Sequence, residues 1–119
     1  MTISPFQIDI DKNILEDLRG RLLATRWPDQ FPDSDWIYGT DLDYLKELVS
    51  YWINEFDWYA QQKMLNEFHH FTTVVEEHDV HFIKEKGKGP NPIPLVITHG
   101  WPSTILEMYK IIPMLADPA

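Results

Sequence analysis

The sequence predicts an α/β chain with a helical first half and a strand-rich second half, the change falling near His69. Three observations carry this prediction. Apolar residues recur at spacings of three and four up to residue 68, the period of an amphipathic helix. HFTTVVEE and VHFIKEK then alternate and are rich in Val, Ile, Thr and Phe, the pattern of half-buried strands. A continuous apolar run, PLVITHG, follows and passes directly into a second helical pattern, as a strand buried on both faces would.

About three helices are expected in the first half. The first covers residues 12–25, with Ile14, Leu15, Leu18, Leu22 and Leu23 on one face. Asp9 or Asp11 is placed to cap it, and Pro28 lies beyond its end. Residues 27–39 read WPDQFPDSDWIYG. Their prolines, acids and glycine oppose a regular element. Trp27, Phe31, Trp36 and Tyr38 predict a loop packed across other elements, either of this chain or outside these residues. The second helix carries Leu42, Leu45, Val49, Trp52, Ile53 and Phe56, a stripe read as core, with Thr40 and Asp43 spaced as a capping pair. The third starts at Asp57 and runs to about Phe68.

In the second half the polar pair His78-Asp79 reads as the link of a hairpin. KGKGPNP is a loop. PLVITHG is expected to be a buried strand. Ser103 or Thr104 then caps a last helix carrying Ile105, Leu106, Met108, Tyr109 and Ile112, which Pro113 kinks or ends. Two antiparallel strands, a buried strand, a sharp turn and a helix are the opening of an α/β-hydrolase sheet.

Composition excludes several function classes. With 19 acidic and 10 basic residues the formal net charge is −9, which opposes phosphate backbones and anionic membrane surfaces. The one basic cluster, Lys84, Lys86 and Lys88, is interleaved with Glu85 and glycines and reads as a solvated loop. Cysteine is absent, which removes disulfides, thiolate zinc sites and a Cys nucleophile. No apolar run near the start is long enough for a signal peptide or membrane anchor, so a cytoplasmic location is expected. Five Trp, five Tyr and six Phe oppose a disordered tail.

The segment with the most chemical content is Leu95-Val96-Ile97-Thr98-His99-Gly100-Trp101-Pro102-Ser103. Gly100 is expected to allow close backbone approach or a positive φ. Pro102 fixes the turn and removes one donor. Free backbone N–H groups then point above the carboxyl end of the strand, where open α/β sheets bind ligands. In α/β-hydrolases the loop after the third strand supplies one N–H of the oxyanion hole. The donor here is the backbone of Trp101, within a loop formed by His99, Gly100, Trp101 and Pro102.

PFQIDI, the RWPDQ loop, WIYGTDLDYLKELVSYWINEFDWYAQQKMLNEF, VHFIKEKG and LVITHGWPST together resemble the microsomal-type epoxide hydrolase family, from Pro5 to the end of the chain. His99-Gly100-Trp101-Pro102 matches the family's oxyanion loop residue by residue, although the family continues with Gly-Ser where Ser103-Thr104 stand here. The resemblance implies a helical N-terminal segment over residues 1–68 that wraps the hydrolase core, and the start of that core over residues 69–119. It also implies hydrolysis of a small hydrophobic epoxide to a vicinal diol, as in detoxification or aromatic-compound metabolism. In the family an Asp nucleophile opens the ring while tyrosines donate protons, and a His–acid pair activates water to hydrolyse the ester. None of those groups can be placed in these residues, so no catalytic residue is assigned and the chain alone is expected to be inactive. No cofactor or metal is implied.

Other residues favour plainer roles. His99 reads as a loop-ordering side chain rather than a base, and Ser103 as a cap rather than a nucleophile. His69, His70, His78 and His81 read as surface or hairpin histidines, since no metal motif joins them and His78 and His81 would face opposite sides of a strand. Glu76–Glu77 and Asp33–Asp35 read as solvated acids, and GKGPNP lacks the pattern of a phosphate loop. Two other expectations compete with a split or truncated hydrolase. One is a binding or assembly module that recruits a partner chain or a copy of itself as a homo-oligomer, using an exposed strand edge and the aromatic loop. The other is complementation by a separate hydrolase chain.

Overall fold

A computed structural model describes residues 2–118. In chain order the elements are β1 (Ile3–Phe6), α1 (Lys12–Leu23), α2 (Leu42–Asn54), α3 (Trp58–Leu65), β2 (His70–Val75), β3 (His78–Ile83), a 3₁₀ turn (Ile105–Met108) and α4 (Ile111–Ala116). They form two compact units. One joins the chain up to Ile8 with the chain from Gln61 onward; the other is Asp9–Ala60.

In the second of these units, α1 packs on α2. Leu15, Leu18 and Leu22 of α1, and Leu42, Leu45, Val49 and Ile53 of α2, are the half-buried positions. Their spacing is that of one helix face. Both helices are capped as their residues dictate. Asp11 accepts from the Asn13 N–H at 2.7 Å and Asp41 accepts from the Tyr44 N–H at 2.9 Å. The cap of α2 is therefore Asp41, not the Thr40–Asp43 pair. Gln30 braces it, donating to the Asp41 carboxylate at 3.1 Å and accepting from the Leu42 N–H. The Tyr44 N–H, then Gln30, hold the Asp41 carboxyl below the usual carboxylate range. Asp57 accepts from the Ala60 N–H at 3.0 Å at the start of α3, as expected.

The aromatic loop is only loosely covered among the described residues. Phe31, Trp36, Ile37 and Tyr38 are exposed, and the rings meet only locally, Phe31 on Tyr38 and Trp36 on Tyr44. What orders the loop is polar. Ser34, which is buried, donates its hydroxyl to the Phe31 carbonyl at 2.7 Å, between Asp33 and Asp35 with their positive φ angles. The α2 stripe is likewise only half covered, for Trp52 and Phe56 stay exposed.

The other unit is built on an antiparallel sheet in the order β1-β2-β3. The β2–β3 hairpin is present, with Phe71 opposite Phe82 and their rings 5.8 Å apart. Its link is Glu76-Glu77, not His78-Asp79, which belong to β3. Both glutamates have positive φ, 48° and 69°, as a two-residue turn that follows the twist of its strands requires. β1 is an additional strand that the helical reading of the first half passed over; it pairs Ile3 with Thr73 and Phe6 with His70. Asn66 then continues that edge. Its side-chain amide accepts from the Ile8 N–H at 2.9 Å and donates to the Ile8 carbonyl at 2.8 Å, standing in for a strand partner.

The largest departure is PLVITHG. Residues 92–100 form no strand and are exposed throughout, with Val96 87% exposed. A strand needs a neighbour for its N–H and C=O groups, and none of the described residues supplies one. The helix after it is also divided. Thr104 caps a single 3₁₀ turn, accepting from the Leu106 N–H at 3.2 Å, and α4 follows. Pro113 sits in the first turn of α4, where its missing N–H costs no helical bond, so it opens this helix instead of closing it. Ala116 and Asp117 close back on the preceding loop. The Lys88 N–H donates to the Ala116 carbonyl at 2.8 Å, and its ammonium pairs with Asp117 at 2.6 Å. That carboxylate raises the Lys88 pKa. No helix among the described residues is long and apolar enough to cross a membrane.

Candidate functional site

The site residues expected from the sequence are contiguous, and the structure holds them in one turn. The Ser103 N–H donates to the Gly100 carbonyl at 2.8 Å, closing a four-residue turn around Trp101 and Pro102, whose peptide bond is cis. A cis proline at this position defines a type VI turn. His99 Nδ1 lies 3.2 Å from the Gly100 carbonyl; a carbonyl only accepts, so the ring donates. Gly100 has no positive φ, and a Cβ there would meet nothing within 4 Å. The expected need for glycine is thus not local to this turn. It is seen instead at Gly87, where a Cβ would lie 2.7 Å from the Pro92 side chain.

The Trp101 ring is 95% exposed. Its backbone N–H has no hydrogen-bond partner among the described residues. A free, outward N–H beside a closed turn can stabilise negative charge on an oxygen placed against it. A second donor and a nucleophile are needed for acyl chemistry, and the turn brings neither to it. Ser103 is not aligned with a base, and Thr104, its neighbour, provides the cap.

Of the other histidines, His69, His78 and His81 are exposed as expected, and His70 is the one of the four that departs from that reading. His70 is 3% exposed and bonded through both ring nitrogens, to the Leu65 carbonyl at 2.7 Å and to His81 at 3.0 Å. His69 pairs with Glu85, its Nδ1 2.9 Å from the carboxylate. No group of three or more His, Asp or Glu among the described residues is arranged to hold a metal ion. A shallow hollow runs along Pro5, Phe6, Asn66 and Phe68 to Phe71, and the turn at Trp101 does not line it.

Comparison with known proteins shows the family of the chain as a whole. The family model described as the epoxide hydrolase N terminus matches residues 3–108. This chain belongs to the epoxide hydrolase family. Its match is to the N-terminal region, as the microsomal-type resemblance implied. A putative epoxide hydrolase of Stigmatella aurantiaca is 40% identical over 116 residues, covering 98% of this chain and 26% of that protein. Epoxide hydrolase 1 of Oryctolagus cuniculus is 40% identical over 121 residues, covering 98% and 27%. Among solved structures, the Aspergillus niger epoxide hydrolase superposes with a TM-score of 0.86 at 26% identity, over 96% of this chain and 30% of the other. The juvenile hormone epoxide hydrolase of Bombyx mori gives 0.83 at 29% identity, over 96% and 31%. The chain spans about a quarter of the length of the curated relatives it matches.

The four helices and three strands seen here agree with the N-terminal region of an epoxide hydrolase fold.

Proposed function

We propose that this chain is the N-terminal portion of an epoxide hydrolase, whose Trp101 backbone N–H forms one half of an oxyanion hole. The observation that carries this reading is the free Trp101 N–H in the closed Gly100–Ser103 turn that follows His99, within a chain matched almost end to end by the family. Residues 1–68 serve as the helical wrapper and residues 69–119 as the start of the catalytic core. The substrate class is a small hydrophobic epoxide, opened to a vicinal diol through an ester on an aspartate. The Trp101 donor acts at the second step, when water adds to that ester and charge gathers on its carbonyl oxygen. His99 and Pro102 keep the turn closed and act only through it.

Two assays test this. The purified 119 residues are expected to form no diol from a styrene-oxide-type substrate; measurable turnover overturns the reading. In a hydrolase completed by a chain carrying the nucleophile, Trp101→Pro removes the N–H. It is expected to slow ester hydrolysis by about 10²–10³-fold while leaving ester formation less affected. Trp101→Phe keeps the N–H and is expected to stay near the parent rate. Equal loss in both variants would assign the role to the ring instead.

A second reading draws support from the exposed run of Ile93, Leu95, Val96 and Ile97: an assembly module that recruits another chain through it. Light scattering after size exclusion separates the two. A monomer at high concentration opposes self-assembly.

A further inference from the structure

His70 is the buried titratable group that the proposed chemistry leaves unused, and its surroundings fix where its protons lie. Nε2 is 2.7 Å from the Leu65 carbonyl, near the end of α3. That oxygen only accepts, so Nε2 carries a hydrogen. In the neutral ring Nδ1 is then bare and accepts from His81 Nε2, 3.0 Å away on β3. The two rings are nearly parallel, at 13°, and Phe6 of β1 covers His81 with centroids 4.9 Å apart. One interaction thus ties the end of α3, β2 and β3 together, with β1 over it.

Only one hydrogen fits between the two facing nitrogens. A first proton added to the pair is accommodated: His70 becomes the donor to His81, and the new N–H forms on the exposed side of His81. A second proton would set two N–H groups against each other at 3.0 Å and place two charges in adjacent rings. The neighbours do not offset this. β1 has no titratable side chain, and α3 offers the uncharged Leu65 carbonyl, with Lys63 exposed in its last turn. His69 beside His70 is engaged by Glu85. On β3 the nearest carboxylate on the same face is Asp79, which is exposed.

We infer that His70 and His81 form a single-proton clasp that holds the β2–β3 hairpin to the end of α3 and releases it on acidification. Partial desolvation, then the charge of His70, lower the His81 pKa, in agreement with the geometry. The sign follows from the depressed folded value. The hairpin's stability is full above the ordinary imidazole range and falls as pH drops through the lowered His81 titration. Opening takes up one proton that the closed pair refuses.

The test is amide hydrogen exchange at β3 in the whole chain between about pH 7.5 and 5, above the carboxylate range. After correction for intrinsic rates, the opening constant of the β3 amides is expected to rise on acidification, with a limiting slope of about tenfold per pH unit. In His81→Gln the amide nitrogen still donates to His70, or its oxygen accepts from the protonated ring, and the slope is expected to vanish. A slope that persists in a folded His81→Gln overturns the proposal. Should that variant fail to fold, ring ¹⁵N shifts of the parent chain decide. Two rings each doubly protonated at pH 5 while β3 remains protected overturn the proposal; a second proton that appears only as protection is lost supports it.

Discussion

Two stretches of one compact unit carry the same kind of sequence and end in opposite states. Residues 70–83 and residues 93–98 are both rich in β-branched and apolar side chains. The first stretch forms a hairpin, gains β1 on its free edge, and shelters Leu65 and His70 beside it. The second is unpaired among the described residues and exposed. The difference is not one of propensity. A strand is defined by its neighbour, and β2 has one on each side, whereas PLVITHG has none among these residues. The apolar run therefore lacks, among the described residues, the neighbour that pairing requires.

Substitutions can break or sharpen this contrast. Leu65 is the buried apolar side chain beside the sheet, at 5% exposure. Leu65→Ala is expected to cost about 2–5 kcal/mol, measured by urea unfolding of the sheet-containing unit. Asn66→Ala leaves the Ile8 N–H and carbonyl without their partner and is expected to cost about 1–3 kcal/mol. The loss should appear first as faster exchange in β1. At the other extreme, Val96→Ser is expected to change stability by under about 0.5 kcal/mol while reducing self-association in light scattering. A loss comparable to that of Leu65→Ala would mean that residues 93–98 are packed in solution, and the contrast would fail.

Legibility in the sequence followed the range of the interactions. The helices were readable because period and caps are local: Leu15, Leu18 and Leu22 announce their face, and Asp11 and Asp57 their starts. The cap of α2 was displaced by one residue because Thr40, Asp41 and Asp43 are all acceptable caps, and Gln30, far back in the chain, selects Asp41. β1 was passed over because it is short, contains Pro5, and pairs with residues far along the chain. The hairpin turn was misplaced because Glu76 and Glu77 lack the Gly or Asn that marks positive φ. The buried character of His70 could not be read from a His-His pair, since it depends on where α3 ends. The turn at residues 99–102 was legible as a motif, while the cis bond and the free Trp101 N–H belong to the structure.

The pairing of Ile3 with Thr73 also orders events in time. Ile3 is synthesised before its partner strand, which is made only after the whole Asp9–Ala60 unit. To the sheet, that unit is one long loop, whose closure must offset a chain entropy that grows slowly with length. The hairpin closes over two residues and carries no such cost. We expect β2 and β3 to acquire exchange protection first in pulse-labelled refolding and β1 last. A nascent chain would then keep its N-terminal strand unpaired until residues 70–75 have emerged.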